Sequence, residues 1–218
     1  MSNDEITTIL TPRVGVIILA AGGSSRFGRP KQLLPYQGNT LIRRATETCL
    51  ASVCYPVIVV LGACSGEIAI ELDDLPVILV ENSKWQTGLS SSIKSGLAEL
   101  AAWENGNSYR TDATLLMLSD QPFLTAAHLD EMVRRFSLRG GIIASAYNGT
   151  IGVPAIFSTH FRPELATLPA GQGAKVLIER YPEKVHTLDF PDGIFDVDTQ
   201  EDYEKIIRSN RSKASQSS

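Results

Sequence analysis

The chain has 218 residues, of which 43% are hydrophobic and 20% are charged, and its formal net charge is −4. This balance predicts one globular domain whose apolar core is large enough to fold without disulfides. The acidic charge argues against a nucleic-acid partner or an anionic membrane partner, because both require a basic face.

The cysteines and histidines show no pattern of a metal or disulfide framework. Cys49, Cys54 and Cys64 are odd in number and form no Cys-x-x-Cys pair, which favours a reducing, cytoplasmic setting. We expect all three to be core or near-core residues. The histidines are far apart, residues 1–13 lack a signal-peptide pattern, and no stretch reaches the roughly 20 apolar residues of a membrane-spanning helix.

The first predicted element is a buried parallel strand at residues 14–19, built from β-branched and aliphatic side chains. It leads into a glycine-rich loop, residues 20–28, which contains Arg26 and is followed by Lys31. Phosphate oxygens can approach backbone N–H groups between such small side chains, and the two cations add donors that backbone amides cannot replace. Open α/β sheets bind ligands at such a loop.

Two common phosphate-binding motifs do not fit this loop. Gly22 and Gly23 are adjacent, so the Gly-x-Gly-x-x-Gly spacing of dinucleotide-binding loops is absent. Gly23 and Gly28 have the Walker A spacing, but Arg29 and Pro30 follow where that motif needs Lys and then Ser or Thr. On composition alone, a plain strand-to-helix turn with two solvated cations stays open.

The rest of the chain alternates predicted strands and helices, and Thr40 is a candidate N-cap of the first helix. We predict helices over residues 40–52, 65–72, 89–103, 125–138, 174–181 and 201–208. We predict strands over residues 56–61, 77–80, 113–118, 142–146, 153–157 and 185–189, with the last at the sheet edge. This alternation predicts a three-layer α/β/α sandwich around a mainly parallel, Rossmann-like sheet.

The domain is expected to span residues 14–208, between a flexible lead-in at residues 1–13 and a disordered polar tail at residues 209–218. The alternation of strands and helices breaks after residue 147. We expect residues 147–199 to fold over the ligand crevice and to carry the acceptor specificity.

Two sets of carboxylates lie where an α/β sheet would bind a ligand. Asp120 directly follows the predicted strand at residues 113–118, at the same sheet edge as the glycine-rich loop. Mg²⁺ bound to a polyphosphate usually takes one or two carboxylates as ligands. An aspartate before Gln-Pro is also typical of an ordinary turn, so this alternative stays open for Asp120. Asp196 and Asp198 precede Thr199, which equally predicts a helix N-terminus capped by that threonine.

The residues LAAGGSSRFGRPK at 19–31 resemble the signature of the MobA-like nucleotidyltransferases, and within them the molybdenum cofactor cytidylyltransferase branch. The sequences NSKWQTGLSSS at 82–92, LSDQP at 118–122 and DVDTQED at 196–202 are similar to further motifs of the family. The resemblance extends to about residue 205. It implies a Mg²⁺-dependent reaction in which an acceptor phosphate attacks the α-phosphorus of a nucleoside triphosphate and pyrophosphate leaves.

Residue by residue, the resemblance implies catalytic roles for Arg26, Lys31 and Asp120. Asp120 and Asp198 would hold Mg²⁺, and Asp196 is a further candidate. In the stretch at 82–92, Trp85 could shield the site, but we favour a buried core aromatic. The nucleotide-binding residues implied are Leu19, Ala20, Ala21, Gly22, Gly23, Ser24, Ser25, Arg26 and Lys31, with Gly88 and Ser92 against the base.

The resemblance favours CTP, because Ala21 completes Leu-Ala-Ala-Gly where the guanylyl branch has Leu-Ala-Gly-Gly. It implies molybdopterin as the acceptor, but two positions depart from the branch. Val153 replaces the histidine of Gly-His-Pro, and Gly171 replaces the aspartate of Leu-x-Gly-Asp-x-Gly-Ala. A sugar or polyol phosphate acceptor therefore stays open, as does a non-catalytic role in delivering a nucleotide or cofactor to a molybdoenzyme that docks on the protein.

Overall fold

The structure is a computed structural model that describes residues 11–24, 27–197 and 199–215. Its strands are β1 (Val14–Leu19), β2 (Pro35–Tyr36), β3 (Asn39–Thr40), β4 (Val57–Leu61), β5 (Ile78–Glu81), β6 (Ala113–Leu118), β7 (Ile142–Tyr147), β8 (Thr150–Ser158) and β9 (Val185–Asp189). Its α-helices are α1 (Leu41–Leu50), α2 (Ser65–Ile70), α3 (Leu89–Gly106), α4 (Ala126–Arg139), α5 (Arg162–Ala166), α6 (Lys175–Arg180) and α7 (Gln200–Ser215).

The middle layer is a seven-stranded sheet in the order β5-β4-β1-β6-β8-β7-β9. β1 pairs in parallel with both β4 and β6, and β4 pairs in parallel with β5. β8 is antiparallel to both of its neighbours, and β9 is parallel to β7 at the sheet edge. The predicted fold class, an α/β/α sandwich with a mainly parallel sheet, is confirmed.

Alternate residues of β1 belong to two different cores, as the period of a strand requires. Val16 and Ile18 pack with residues of α1 and α4 on one face, whereas Ile17 packs with residues of α3 on the other. Gly96 allows α3 to lie close to the sheet, because a Cβ at this position would be 2.4 Å from the Ile17 Cγ2 atom. Helices on both faces account for the unbroken apolar run of β1.

Most predicted elements are present, with ends that differ by a few residues. The N-cap of α1 is confirmed, since the Thr40 hydroxyl accepts a hydrogen bond from the Arg43 N–H at 3.3 Å. The cap of α7 is confirmed as well: the Thr199 hydroxyl accepts from the Asp202 N–H at 3.2 Å, and the Asp202 carboxylate accepts from the Thr199 N–H at 3.0 Å. This reciprocal pair is a capping box with Asp in the acidic position.

Within the region after residue 147, the strand β8 does not fold over a crevice. β8 lies inside the sheet, between β6 and β7, and its Ala155, Ile156 and Phe157 are fully buried. Ile156 packs in the core on one face of the sheet, and Ala155 and Phe157 pack in the core on the other, so the apolar run of β8 is a core feature and not that of a covering flap.

The C-terminal helix is longer than predicted. α7 continues to Ser215, whereas the sequence pattern predicts a helix end at residue 208 and a disordered tail from residue 209. Residues 200–215 contain neither Gly nor Pro, so their polar composition carries no signal that ends a helix. Residues 1–10 and 216–218, which include most of the predicted lead-in and the end of the tail, lie outside the described residues.

Cys49 and Cys54 are buried as predicted, but Cys64 is exposed. Cys64 precedes α2 at the surface with a left-handed backbone (φ 56°), so its apolar sequence neighbours do not enclose it. Among the described helices, none is long and apolar enough to cross a membrane.

A buried ion pair joins α3 to α5 on one face of the sheet. Glu104 accepts two hydrogen bonds of 3.0 Å from the Arg162 guanidinium, and two more from the Thr111 N–H and hydroxyl. Arg162 also donates to the Thr114 hydroxyl of β6 at 3.2 Å and to the Thr111 hydroxyl. Burial raises the pKa of Glu104, but the hydrogen bonds from Arg162 and Thr111 outweigh it, so the pKa lies below its ordinary value.

We expect Arg162→Met to lower the free energy of unfolding by about 3 kcal/mol, because the variant leaves Glu104 as a buried carboxylate without its counter-charge. Urea denaturation measures the loss. Arg180→Met is the matched control, since it breaks an ion pair with Glu164 whose side chains are 52% and 32% exposed. That control should cost under about 1 kcal/mol, and equal losses in the two variants would contradict the argument.

The same ion pair predicts a pH dependence. Because the pKa of Glu104 is lowered in the folded state, its stabilisation is present above the ordinary value of 4.5 and is lost as the pH falls through the lowered value. In Arg162→Met the main cause of the lowering is gone, so its unfolding free energy should fall less steeply between about pH 6 and pH 3. Equal slopes for variant and wild type would count against this role.

Candidate active site

A cleft of about 400 Å³ opens at the carboxyl ends of β1 and β6. The two strands pair residue by residue as far as Leu19 and Leu118, so the loops that follow them begin side by side. This is the edge at which open α/β sheets bind ligands. The residues that line the cleft are Leu19, Ala21, Gly22, Gly23, Lys31, Gln32, Trp85, Gln86, Gly88, Leu89, Ser92, Leu118, Ser119, Asp120 and Asp196.

The cleft brings together many of the residues that the sequence singles out. Those that line it are Leu19, Ala21, Gly22, Gly23, Lys31, Gly88, Ser92 and Asp120. Ala20 does not line it, because its side chain alternates to the other face of the sheet and packs in that core. Ser24 lies beside the cleft, where its hydroxyl accepts a hydrogen bond from the Lys31 N–H at 3.0 Å. Ser25, Arg26 and Asp198 lie outside the described residues.

Lys31 and Asp120 form an ion pair across the cleft. The Lys31 Nζ lies 2.5 Å from the Asp120 Oδ2, and the two side chains are 19% and 6% exposed. The other oxygen, Oδ1, is buried and accepts no hydrogen bond from any described residue. A buried carboxylate oxygen without a donor is a position for a ligand that the protein itself does not supply.

Asp196 lines the same cleft as Asp120. The Val197 N–H donates to the Asp120 carbonyl at 3.3 Å, so the segment before α7 lies against the turn after β6. The pKa of Tyr147 is raised by burial and by the negative charges of Asp196 and Asp120, so a neutral phenol lies near both carboxylates.

Carboxylate oxygens are the donors that Mg²⁺ and Mn²⁺ prefer. Within the described residues, no group of three or more His, Cys, Asp and Glu side chains could hold a metal by itself. Asp120 with its open Oδ1, and Asp196 beside it, therefore suit a cation that takes its other ligands from a phosphate chain and water.

Sequence reasoning missed Gln32, which lines the cleft and is 2% exposed. Its Nε2 donates to the Ala20 carbonyl at 2.9 Å and to the Gly22 carbonyl at 2.8 Å. A glutamine in a short turn has no pattern of its own, so its partners become visible only when the loop is folded.

Trp85 is half-buried: it packs against the core on the α3 face of the sheet and also lines the cleft, so it is not the fully buried core aromatic that we favoured. Its ring lies against the glycine-rich loop: a Cβ at Gly23 would be 2.9 Å from the Trp85 Cζ3 atom. A Cβ at Gly62 would be 2.7 Å from the Trp85 Cβ. The polar residues around Trp85 were the available signal that this tryptophan is close to solvent.

The stretch before α3 is held by Asn82, which is 3% exposed. Its amide donates to the Ser91 hydroxyl at 2.8 Å and to the Ser92 hydroxyl at 3.1 Å. Gly88 has a φ of 102°, and a Cβ there would be 2.7 Å from the Gly171 Cα. Gly171, where the molybdenum cofactor cytidylyltransferase branch has an aspartate, therefore lies directly against the start of α3.

Val153, the other position at which this chain differs from the cytidylyltransferase branch, also lies next to the site. The Val153 carbonyl accepts hydrogen bonds from the Gln121 Nε2 at 3.2 Å and from the Tyr147 hydroxyl at 3.4 Å. The Gly-Val-Pro stretch of β8 is thus tied to the turn that carries Asp120. The Gln121 Oε1 is buried and has no hydrogen-bond partner within the described part of the chain.

The arrangement can bind and orient a polyphosphate. It combines a loop of small residues, a lysine and buried carboxylates in one cleft, and the described lining residues include no Cys or His. Transfer of a phosphoryl-type group needs positioning and charge neutralisation more than a covalent contribution from the protein.

Residues 16–185 match the family described as the MobA-like NTP transferase domain. The chain is 32% identical to the nicotine blue oxidoreductase of Paenarthrobacter nicotinovorans, over 90% of this chain and 97% of that protein. It is 25% identical to the molybdenum cofactor cytidylyltransferase of Escherichia coli strain K12, over 87% of this chain and 93% of that protein.

Among solved structures, Rv0371c of Mycobacterium tuberculosis H37Rv superposes with a TM-score of 0.74 at 29% identity, covering 91% of this chain and 99% of that one. The same protein in complex with manganese gives a TM-score of 0.71 at 27% identity, covering 90% and 99%. The family match runs from β1 to the start of β9 and includes both the glycine-rich loop and Asp120. The chain therefore belongs to the MobA-like NTP transferase family.

Proposed function

We propose that the protein is a Mg²⁺-dependent cytidylyltransferase that transfers CMP from CTP to the phosphate of a molybdopterin-type cofactor. An oxygen of the acceptor phosphate forms a bond to the α-phosphorus of CTP, and the bond from that phosphorus to the bridging oxygen breaks. Pyrophosphate leaves with the electron pair. The observation that carries the proposal is the Lys31–Asp120 pair of 2.5 Å in a cleft beside a loop of small residues.

Each part of the cleft has a role in this reaction. The backbone N–H groups of residues 21–25 and the Lys31 ammonium bind the triphosphate. Arg26 meets the charge that develops on the leaving pyrophosphate. Asp120 and Asp198 would hold the cation, with Asp196 of the cleft as a further candidate. Bound there, Mg²⁺ would supply the positive charge that a polyphosphate needs for attack. The manganese complex of a 27% identical structure supports a divalent cation for the family.

The preference for CTP is supported by Ala21, which lines the cleft. Ala21 is 4% exposed, and a Cβ at Gly62 would be 2.8 Å from the Ala21 Cβ. A methyl group here leaves less room than the glycine of the guanylyl branch, which favours a pyrimidine. The cytidylyltransferase of Escherichia coli supports molybdopterin as the acceptor, while Val153 and Gly171 keep a sugar or polyol phosphate as the alternative.

A second candidate is an oxidoreductase activity. The observation that favours it is the 32% identity to nicotine blue oxidoreductase over 97% of that protein, against 25% to the cytidylyltransferase. An oxidoreductase of this kind would need a bound redox cofactor, and a nicotinamide dinucleotide is a candidate because its pyrophosphate could take the place of the triphosphate in the cleft.

Isothermal titration calorimetry with CTP, UTP, GTP, ATP and NADPH in the presence of Mg²⁺ tests the proposal. We expect CTP to bind most tightly. A preference for GTP would assign the protein to the guanylyl branch. Binding of NADPH without binding of any nucleoside triphosphate would support the oxidoreductase activity. Failure to bind any of them would favour a delivery role.

The same titrations with Ala21→Gly test the reason for the preference. We expect the ratio of CTP to GTP affinity to fall about tenfold, because the change removes the methyl group from the floor of the cleft. Ala101→Gly, at an exposed position of α3, is the matched control and should keep the wild-type ratio. A ratio unchanged in Ala21→Gly would remove the structural argument for CTP.

Asp120→Asn tests the catalytic assignment. The amide keeps the shape of the side chain but loses the charge, so we expect pyrophosphate release in the transfer reaction to fall by roughly a hundredfold or more. Asp73→Asn, at an exposed position after α2, should keep the wild-type rate. Full activity of Asp120→Asn would contradict the cation assignment. Equal delivery of a cofactor by the wild type and the variant, without pyrophosphate release by either, would support a non-catalytic role.

A further inference from the structure

We propose that Gln32 is a positioning residue for the polyphosphate: its side-chain amide sets the orientation of the peptide groups in the glycine-rich loop. The inference rests on the proposed function, since it specifies how the loop would bind phosphate. Its observations are the position of Gln32 in the cleft, its burial and its three hydrogen bonds.

The Gln32 side chain uses both ends of its amide on this loop. Its two N–H groups donate to the carbonyls of Ala20 and Gly22, at 2.9 and 2.8 Å. Its Oε1 accepts from the Ser24 hydroxyl at 3.3 Å. The residue is 2% exposed, so these bonds are shielded from water.

These bonds determine where the neighbouring N–H groups point. A trans peptide group is planar, and its N–H points opposite to its C=O. When the carbonyls of Ala20 and Gly22 point to Gln32, the N–H groups of Ala21 and Gly23 point away from it. No group among the described residues accepts a hydrogen bond from the N–H of Ala21, Gly22 or Gly23.

The loop needs such a support because glycine does not restrict its own backbone. A Cβ at Gly22 would meet nothing within 4 Å, so neighbouring side chains do not confine this residue. Trp85 confines Gly23 on one side, and Gln32 holds the carbonyls on either side of Ala21. A preorganised set of N–H groups binds phosphate without the entropy cost of ordering the loop.

The bonds of Ser24 extend the same support to Lys31. The Ser24 hydroxyl donates to Gln32 and accepts from the Lys31 N–H at 3.0 Å. The backbone of the lysine that pairs with Asp120 is therefore attached to the amide that orients the loop. One side chain thereby aligns both the N–H donors of the loop and the lysine.

Gln32→Met and Gln32→Glu separate this role from simple packing. Met has a similar volume but no amide, and Glu keeps the length but cannot donate to the two carbonyls. We expect the Kd of CTP, and that of inorganic tripolyphosphate as a phosphate-only probe, to rise at least tenfold in Gln32→Met and further in Gln32→Glu. The ¹⁵N order parameters of Gly22 and Gly23 should fall towards those of a flexible loop.

Thr46→Val is the matched control for the loss of a buried hydrogen bond. Thr46 is fully buried in α1, away from the cleft, and its hydroxyl donates to the Ile42 carbonyl at 2.8 Å. This variant should lose stability while both Kd values and the order parameters of the loop stay at the wild-type level. Circular dichroism establishes that each variant is folded.

The two readouts distinguish the inference from the function on which it rests. If the wild-type protein binds neither CTP nor tripolyphosphate, the proposed function fails, and the order parameters alone decide whether Gln32 orients the loop. Gln32 variants with wild-type Kd values and unchanged order parameters would overturn the inference. A rise in Kd for both probes together with a loss of order in the loop would support it.

Discussion

The parallel pairing of β1 with β6 is the constraint on which the site depends. Because parallel neighbours end at the same edge of a sheet, the glycine-rich loop and the turn at Asp120 begin next to each other. That pairing holds because both strands are buried on both faces, with the helices of the two outer layers against them. Residues 89 positions apart in the chain, Lys31 and Asp120, therefore come within 2.5 Å.

The electrostatics of the cleft follow from this juxtaposition. A lysine and an aspartate in a half-enclosed site attract each other more strongly than they would in water. The pair compensates the charge of Asp120, while the second oxygen of that carboxylate accepts from no described residue. The ion pair between Glu104 and Arg162 is different, since both carboxylate oxygens of Glu104 accept hydrogen bonds. One network stabilises the fold, and the other leaves an oxygen open to a ligand.

The proposed acceptor side differs in origin from the proposed nucleotide side. The glycine-rich loop and Asp120 follow parallel strands, whereas Val153 belongs to β8, which enters the sheet antiparallel. Gly171 comes from the loop after α5, which contacts the start of α3. Substitutions in these later segments can alter what fits beside Asp120 without disturbing the β1–β6 edge. This separation is consistent with a family whose members carry names as different as a cytidylyltransferase and an oxidoreductase.

The sequence by itself determined the strands of the parallel half, the capped helices and the loop of small residues, because these depend on local periodicity and local hydrogen bonds. It also predicted that Asp120 and Lys31 would share an edge, since the carboxyl ends of parallel strands lie at the same edge of a sheet. Only the tertiary structure decided the insertion of β8, the position of Trp85 and the bonds of Gln32. These depend on which segments meet in space, and no short pattern of residue types records a contact between distant or irregular segments.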